Sequence, residues 1–91
     1  MIVFFHDIIL YISWWCIVRY QELENIFNSS NELKFKLFSL EYIIRKIDNG
    51  VEVYAILYQN RKKVYSSFQE AMNNFTVYNE SLVDNIDRIK L

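Results

Sequence analysis

Residues 41–58 read EYIIRKIDNGVEVYAILY, and the fold turns on Asp48-Asn49-Gly50-Val51 at their centre. An Asn-Gly pair takes the positive φ angles of a two-residue hairpin turn at little cost, so Asn49-Gly50 predicts a hairpin between strands 41–48 and 51–58. Asp48 then faces Val51, Lys46 faces Val53, Ile44 faces Ala55 and Tyr42 faces Leu57. Because side chains alternate along a strand, this face of the ladder is mostly aliphatic. The other face sets Ile47 against Glu52, Arg45 against Tyr54, Ile43 against Ile56 and Glu41 against Tyr58. It is mixed, aromatic and charged.

Working outward, a second turn falls within Gln59-Asn60-Arg61-Lys62. With Asn60-Arg61 as its loop, Val64 joins Leu57 on the aliphatic face, and Lys63 and Tyr65 join Tyr58 and Ile56 on the mixed face. Upstream, Leu33-Lys34-Phe35-Lys36-Leu37 alternates cleanly and predicts a further strand. Its link through Phe38, Ser39 and Leu40 holds no turn residue except Ser39, so a hairpin and a bulge both remain open. Downstream, Ser67-Phe68-Gln69-Glu70 has the form of a capping box that starts a helix. Phe68, Met72, Phe75, Tyr78, Leu82, Ile86 and Ile89 recur every three or four residues, which predicts one helix over about 68–89 or two shorter ones meeting near residue 80.

At the other end, Asp7 is positioned to cap a helix that begins at Ile8, after an extended stretch from Met1 to Phe5. Ile17, Tyr20, Leu23 and Phe27 form one face of it, and Asn28-Ser29-Ser30-Asn31 ends it. Between Ile8 and Trp15 the helix is apolar all round, which calls for cover by a homodimer partner or another protein. The uncharged run Ile8–Val18 is bounded by Asp7 and Arg19 and falls short of the ~20 residues a membrane span needs. No basic segment or small-residue cleavage site marks a secretory signal. A membrane-anchored protein is therefore only a second alternative. The expectation is one small α+β domain over residues 1–91, with an N-terminal helix, an antiparallel sheet of three or four strands, and a C-terminal helix or helix pair.

The chain is 91 residues long, 53% hydrophobic and nearly neutral, with a formal charge of −1, which excludes intrinsic disorder. Residues 33–67 hold seven bases against three acids, and both flanks are acidic. The single cysteine, Cys16, makes no internal disulfide, and an intracellular, cytoplasmic setting follows as the default. There is no P-loop, no metal-ligand spacing and no nucleophile elbow, so no catalytic residues, metal or cofactor are expected. His6 beside Asp7 reads as an ordinary histidine next to a cap. Cys16 reads as a small apolar core residue, and Trp14 and Trp15 as core or interface.

The segment from Val53 through Phe75, with its strands followed by Ser67-Phe68-Gln69-Glu70-Ala71, resembles the sheet-to-helix half of AP2-like and integrase arm-type DNA-binding domains. A threonine and one or two further residues of that pattern are missing, and the resemblance is not read as membership. It implies DNA binding through a three-stranded sheet.

Arg61-Lys62-Lys63, Lys34, Lys36 and the sheet tyrosines make the mixed face the best functional candidate. Tyr and Arg concentrate binding energy at protein interfaces because they bring contact area and directed polar groups at modest entropy cost. Arg45, Tyr54, Tyr58, Arg61, Lys63 and Tyr65 are the expected partner-binding residues. The expected function is a non-enzymatic protein-binding module, of the kind a small phage- or plasmid-type inhibitor of a larger host protein would be. Nucleic-acid binding through the same face is the alternative, weakened by the acidic flanks because phosphate neutralisation dominates such affinity.

Overall fold

The computed structural model describes residues 2–91, with side chains from 16 onward. Helix α1 (Ile2–Ser30) is followed by strands β1 (Glu32–Leu37), β2 (Leu40–Ile47) and β3 (Gly50–Ala55), and then by a 3-10 segment (Ile56–Arg61). Strand β4 (Lys63–Tyr65) completes an antiparallel sheet of order β1-β2-β3-β4. Helix α2 (Phe68–Asn74), a hairpin of β5 (Thr76–Val77) and β6 (Glu80–Ser81), and a 3-10 turn (Ile86–Arg88) finish the chain. The α+β class, the N-terminal helix and the four-stranded antiparallel sheet are as expected. Among the described residues, no helix is long and apolar enough to cross a membrane, and no group of three or more His, Cys, Asp or Glu is placed to hold a metal ion.

Helix α1 begins at Ile2 rather than Ile8, so residues 2–5 are helical and not extended, and the helix does not start from a cap at Asp7; Met1 lies outside the described residues. The first residues hold no Gly or Pro to resist helix, and an Asp inside a helix costs only about 0.7 kcal/mol. The side chains of His6, Asp7, Trp14 and Trp15 lie outside the described residues. At its C-terminal end the helix stops where the polar cluster predicts. Asn31 adopts φ 61° and its N–H donates to Phe27 O at 2.7 Å, the αL form of C-cap. Leu23 and Phe27 are buried on the sheet as expected, but Cys16 continues that stripe where Ile17 was predicted, and Ile17 is half exposed.

The central hairpin forms with a shift. Ile47 faces Gly50, Lys46 faces Val51, Ile44 faces Val53 and Tyr42 faces Ala55, so the loop is Asp48-Asn49. Only Gly50 has a positive φ, 152°, and a Cβ there would sit 2.1 Å from Tyr65 O. Glycine is thus required by backbone angle and by space. The shift moves each predicted partner by two residues, which preserves the faces: Leu33, Phe35, Tyr42, Ile44, Val51 and Val53 all join the core.

Strand β3 ends at Ala55 rather than Tyr58. Continuing the observed register would set Ile56 and Leu57 against Glu41 and Leu40, but there the chain leaves β2, which goes on pairing with β1 alone, and turns into the 3-10 segment. In β4 the register is Val51 to Tyr65, Glu52 to Val64 and Val53 to Lys63. This is an odd displacement from the predicted pairing and it exchanges the faces. Tyr65 packs toward the core, and Val64 is turned out and exposed.

Ser67 caps α2 by accepting from Glu70 N–H at 3.1 Å, while the Glu70 carboxylate takes the Ser66 hydroxyl instead of returning to Ser67. The helix lasts only seven residues. Asn73-Asn74 are weak helix formers and Thr76-Val77 are β-branched, so the apolar stripe leaves the helix after Met72 yet still buries Val77, Leu82, Ile86 and Ile89. Asn85, fully buried, holds this segment: its Nδ2 donates to Ser81 O at 3.0 Å and its Oδ1 accepts from Arg88 Nη1 at 3.2 Å. Arg19 on α1 donates to Ile89 O at 2.6 Å, and Lys90 bridges back to Lys36 on β1.

Candidate functional site

The six expected binding residues are divided between three places. Arg45 stands opposite Glu52, not Tyr54, and its Nε and Nη2 donate to Glu52 Oε1 at 3.0 and 2.6 Å. Lys62 Nζ lies 3.9 Å from Glu52 Oε2 and 4.9 Å from the centre of the Tyr54 ring, which is only 7% exposed. Hydrogen bonding to Glu52 holds the Arg45 guanidinium pKa above its ordinary value. On this outer face Arg45 and Lys62 both turn to Glu52, and Lys62 lies over the aromatic ring.

Lys63 and Tyr65 form the second group on β4. Tyr65 packs against the core, where burial and then Glu70 push its phenol upward, while Lys63 is exposed. Tyr58 and Arg61 form the third, in the 3-10 segment, with the Arg61 guanidinium 5.9 Å from the Tyr58 ring centre. They reach the end of the sheet opposite Gly50 and line a recess of ≈ 290 Å³ with Tyr42, Phe75, Val77 and Tyr78.

That end carries residues the sequence did not single out. Strands β1 and β2 join through Phe38-Ser39, and β5 and β6 through Tyr78-Asn79. All four loop residues have positive φ, 50° and 68° in the first and 53° and 66° in the second, as a type I′ turn demands. Bulky residues rarely occupy this region, where the Cβ crowds the carbonyl oxygen at a cost of roughly 1–2 kcal/mol per residue. The two aromatic rings meet edge to face with centres 5.3 Å apart, yet Phe38 stays 43% and Tyr78 76% exposed.

Beneath them, Phe35 stacks on Tyr42, and Tyr42 meets Phe75 edge to face. Burial and then the neighbouring Tyr78 raise the Tyr42 phenol above its ordinary pKa. On the Phe38 side a second recess of ≈ 380 Å³ is lined by Lys36, Ser39, Arg88 and Lys90. Glu80 lies 3.8 Å from Arg88. Of the six residues expected to form one mixed sheet face, only Tyr58 and Arg61 lie at this sheet end, and the other aromatic and basic residues there were not among them. The signal for Phe38 lay in the spacing: two residues between two alternating runs imply a tight hairpin even without Gly. Nothing local marks Tyr78, because its neighbours imitate a helix.

Compared with protein-family models, with curated proteins and with solved structures, the chain matches none.

Proposed function

We propose that this chain is a non-enzymatic protein-binding module that engages an acidic surface of its partner through the sheet end built from Phe38, Tyr58, Arg61 and Tyr78. The observation that carries this reading is the pair of aromatic side chains on positive-φ turns, where Gly or Asn would cost less. Strained backbone that displays exposed aromatic rings is unfavourable for folding alone and fits a surface kept for contact. Exposed Lys36, Arg61 and Lys90 around the rings favour an acidic partner. A small phage- or plasmid-type inhibitor of a larger host protein is the kind of module such a surface would suit.

The test is a photo-crosslinking amino acid placed at position 78 and, separately, at Lys34 on the outer face, in the chain expressed in its native host. A discrete protein adduct from position 78 that is absent from position 34 supports the reading. Tyr58→Ala should weaken the same adduct, by about 1–3 kcal/mol in affinity if Tyr58 is an anchor. Binding to DNA or RNA oligonucleotides that falls steeply with added salt would replace the protein partner with a nucleic acid.

A further inference from the structure

The structure leaves an apolar groove beside α1, which shares no lining residue with the two sheet-end recesses. It is lined by Cys16, Ile17, Tyr20, Gln69, Val83 and Ile86 and has a volume of ≈ 380 Å³. Ile17 is 50% exposed on its rim, and the Tyr20 hydroxyl is buried with no hydrogen-bond partner among the described residues. Polar neighbours are mostly neutral amides, Gln21, Gln69 and Asn73, with Glu24 at one end. Its chemistry fits an uncharged apolar helix.

This chain contains one such stretch, Ile8–Val18. It cannot reach the groove of its own molecule, because α1 runs unbroken from Ile2 to Ser30 and residues 8–15 continue straight on from Cys16 along the axis. A second copy is free of that restriction. We infer that two copies pair antiparallel along α1, with the two-fold axis near Cys16, so that the 8–15 stretch of each lies in the groove of the other.

Cys16 is the midpoint of Ile2–Ser30, so an antiparallel pair centred there sets positions 17–24 of one copy beside 15–8 of the other. The uncharged run then spans the whole groove, and Asp7 falls beyond Glu24. A parallel pair would set Glu22 and Glu24 against their own copies and leave both grooves open. The antiparallel pair is isologous and closes at two subunits.

Sedimentation of detergent-free protein should give twice the 11.1 kDa chain mass, and Ile17→Glu should shift it to monomer with unchanged circular dichroism. Mild copper-phenanthroline oxidation should link the wild-type chain through Cys16 into a disulfide dimer that Cys16→Ser abolishes. In the Cys16→Ser background, Gln21→Cys alone should not cross-link, whereas mixing it with Tyr11→Cys should. A monomer at tens of micromolar, cross-linking of Gln21→Cys to itself, or recovery of the protein only from detergent-extracted membranes would each overturn the inference. None of these outcomes bears on the sheet-end surface, since the two sites share no residue.

Discussion

The two ends of the sheet solve the same problem, reversing the chain between strands, with opposite materials. At one end Gly50 takes the angle that other residues avoid and clears the Tyr65 carbonyl, so the turn is nearly free of strain and carries no exposed ring. At the other end Phe38-Ser39 and Tyr78-Asn79 hold positive φ without any glycine, and both aromatic rings remain exposed. The first end is built for folding. The second gives up backbone stability for display, which is why it is the stronger candidate for a binding surface.

The largest effect should come from Gly50→Val. Any Cβ meets Tyr65 O, and the positive φ adds to the clash, so a loss of about 2–3 kcal/mol or more in urea unfolding is expected. A variant as stable as the wild type would break the contrast at its folding end. Next is Asn85→Ala, which strips the hydrogen bonds that tie the β5–β6 hairpin to the last turn. Leaving Ser81 O and Arg88 without that partner should cost about 1–3 kcal/mol by the same measurement.

The display end makes a smaller prediction with a distinctive sign. Phe38→Gly and Tyr78→Asn relieve the backbone and lose one exposed ring contact worth about 0.5–1.5 kcal/mol. Stability should stay level or rise by up to about 1 kcal/mol, while the position-specific partner adduct, probed from Lys36, is lost. A drop of more than about 1 kcal/mol would make the rings structural instead. The smallest change in partner capture is expected for Arg45→Ala, which should leave it unaffected. Thermal unfolding, in contrast, should show a loss of about 1–3 kcal/mol, because the variant strips two hydrogen bonds from the Glu52 carboxylate, whose side chain is only 11% exposed.

How far local reading reached is clearest in the two sheet registers. For β2 and β3 the reading misplaced the loop by one residue, and because partners moved by two, Tyr42, Ile44, Val51 and Val53 were still assigned to the core face. Leu57, read onto that face, instead leaves the ladder and is exposed. For β4 the displacement was odd, and the faces of Lys63, Val64 and Tyr65 were exchanged. Tyr54 and Arg45 were placed on the right face, but the covering of one by Lys62 and the pairing of the other with Glu52 depend on the loop that returns over them. Arg61 and Tyr58 reach the sheet end only because β3 leaves the ladder at Ala55.

Chemistry that acts within a few residues was readable directly from the chain: the Asp-Asn-Gly reversal, the Ser67 cap, the Asn31 helix end and the alternation of β1. Each rests mainly on backbone preference, capping or alternation within a few residues, so distant parts of the molecule enter little. Tertiary structure decided where the apolar stripe after Asn74 stops being helical, because Val83 N–H finds Met72 O, Leu82 N–H finds Phe75 O and Lys90 pairs with Lys36 across the fold. It likewise decided that Phe38 and Tyr78 meet. Their ring contact joins two hairpins forty residues apart in sequence, and no local preference of either residue favours the backbone angle it adopts.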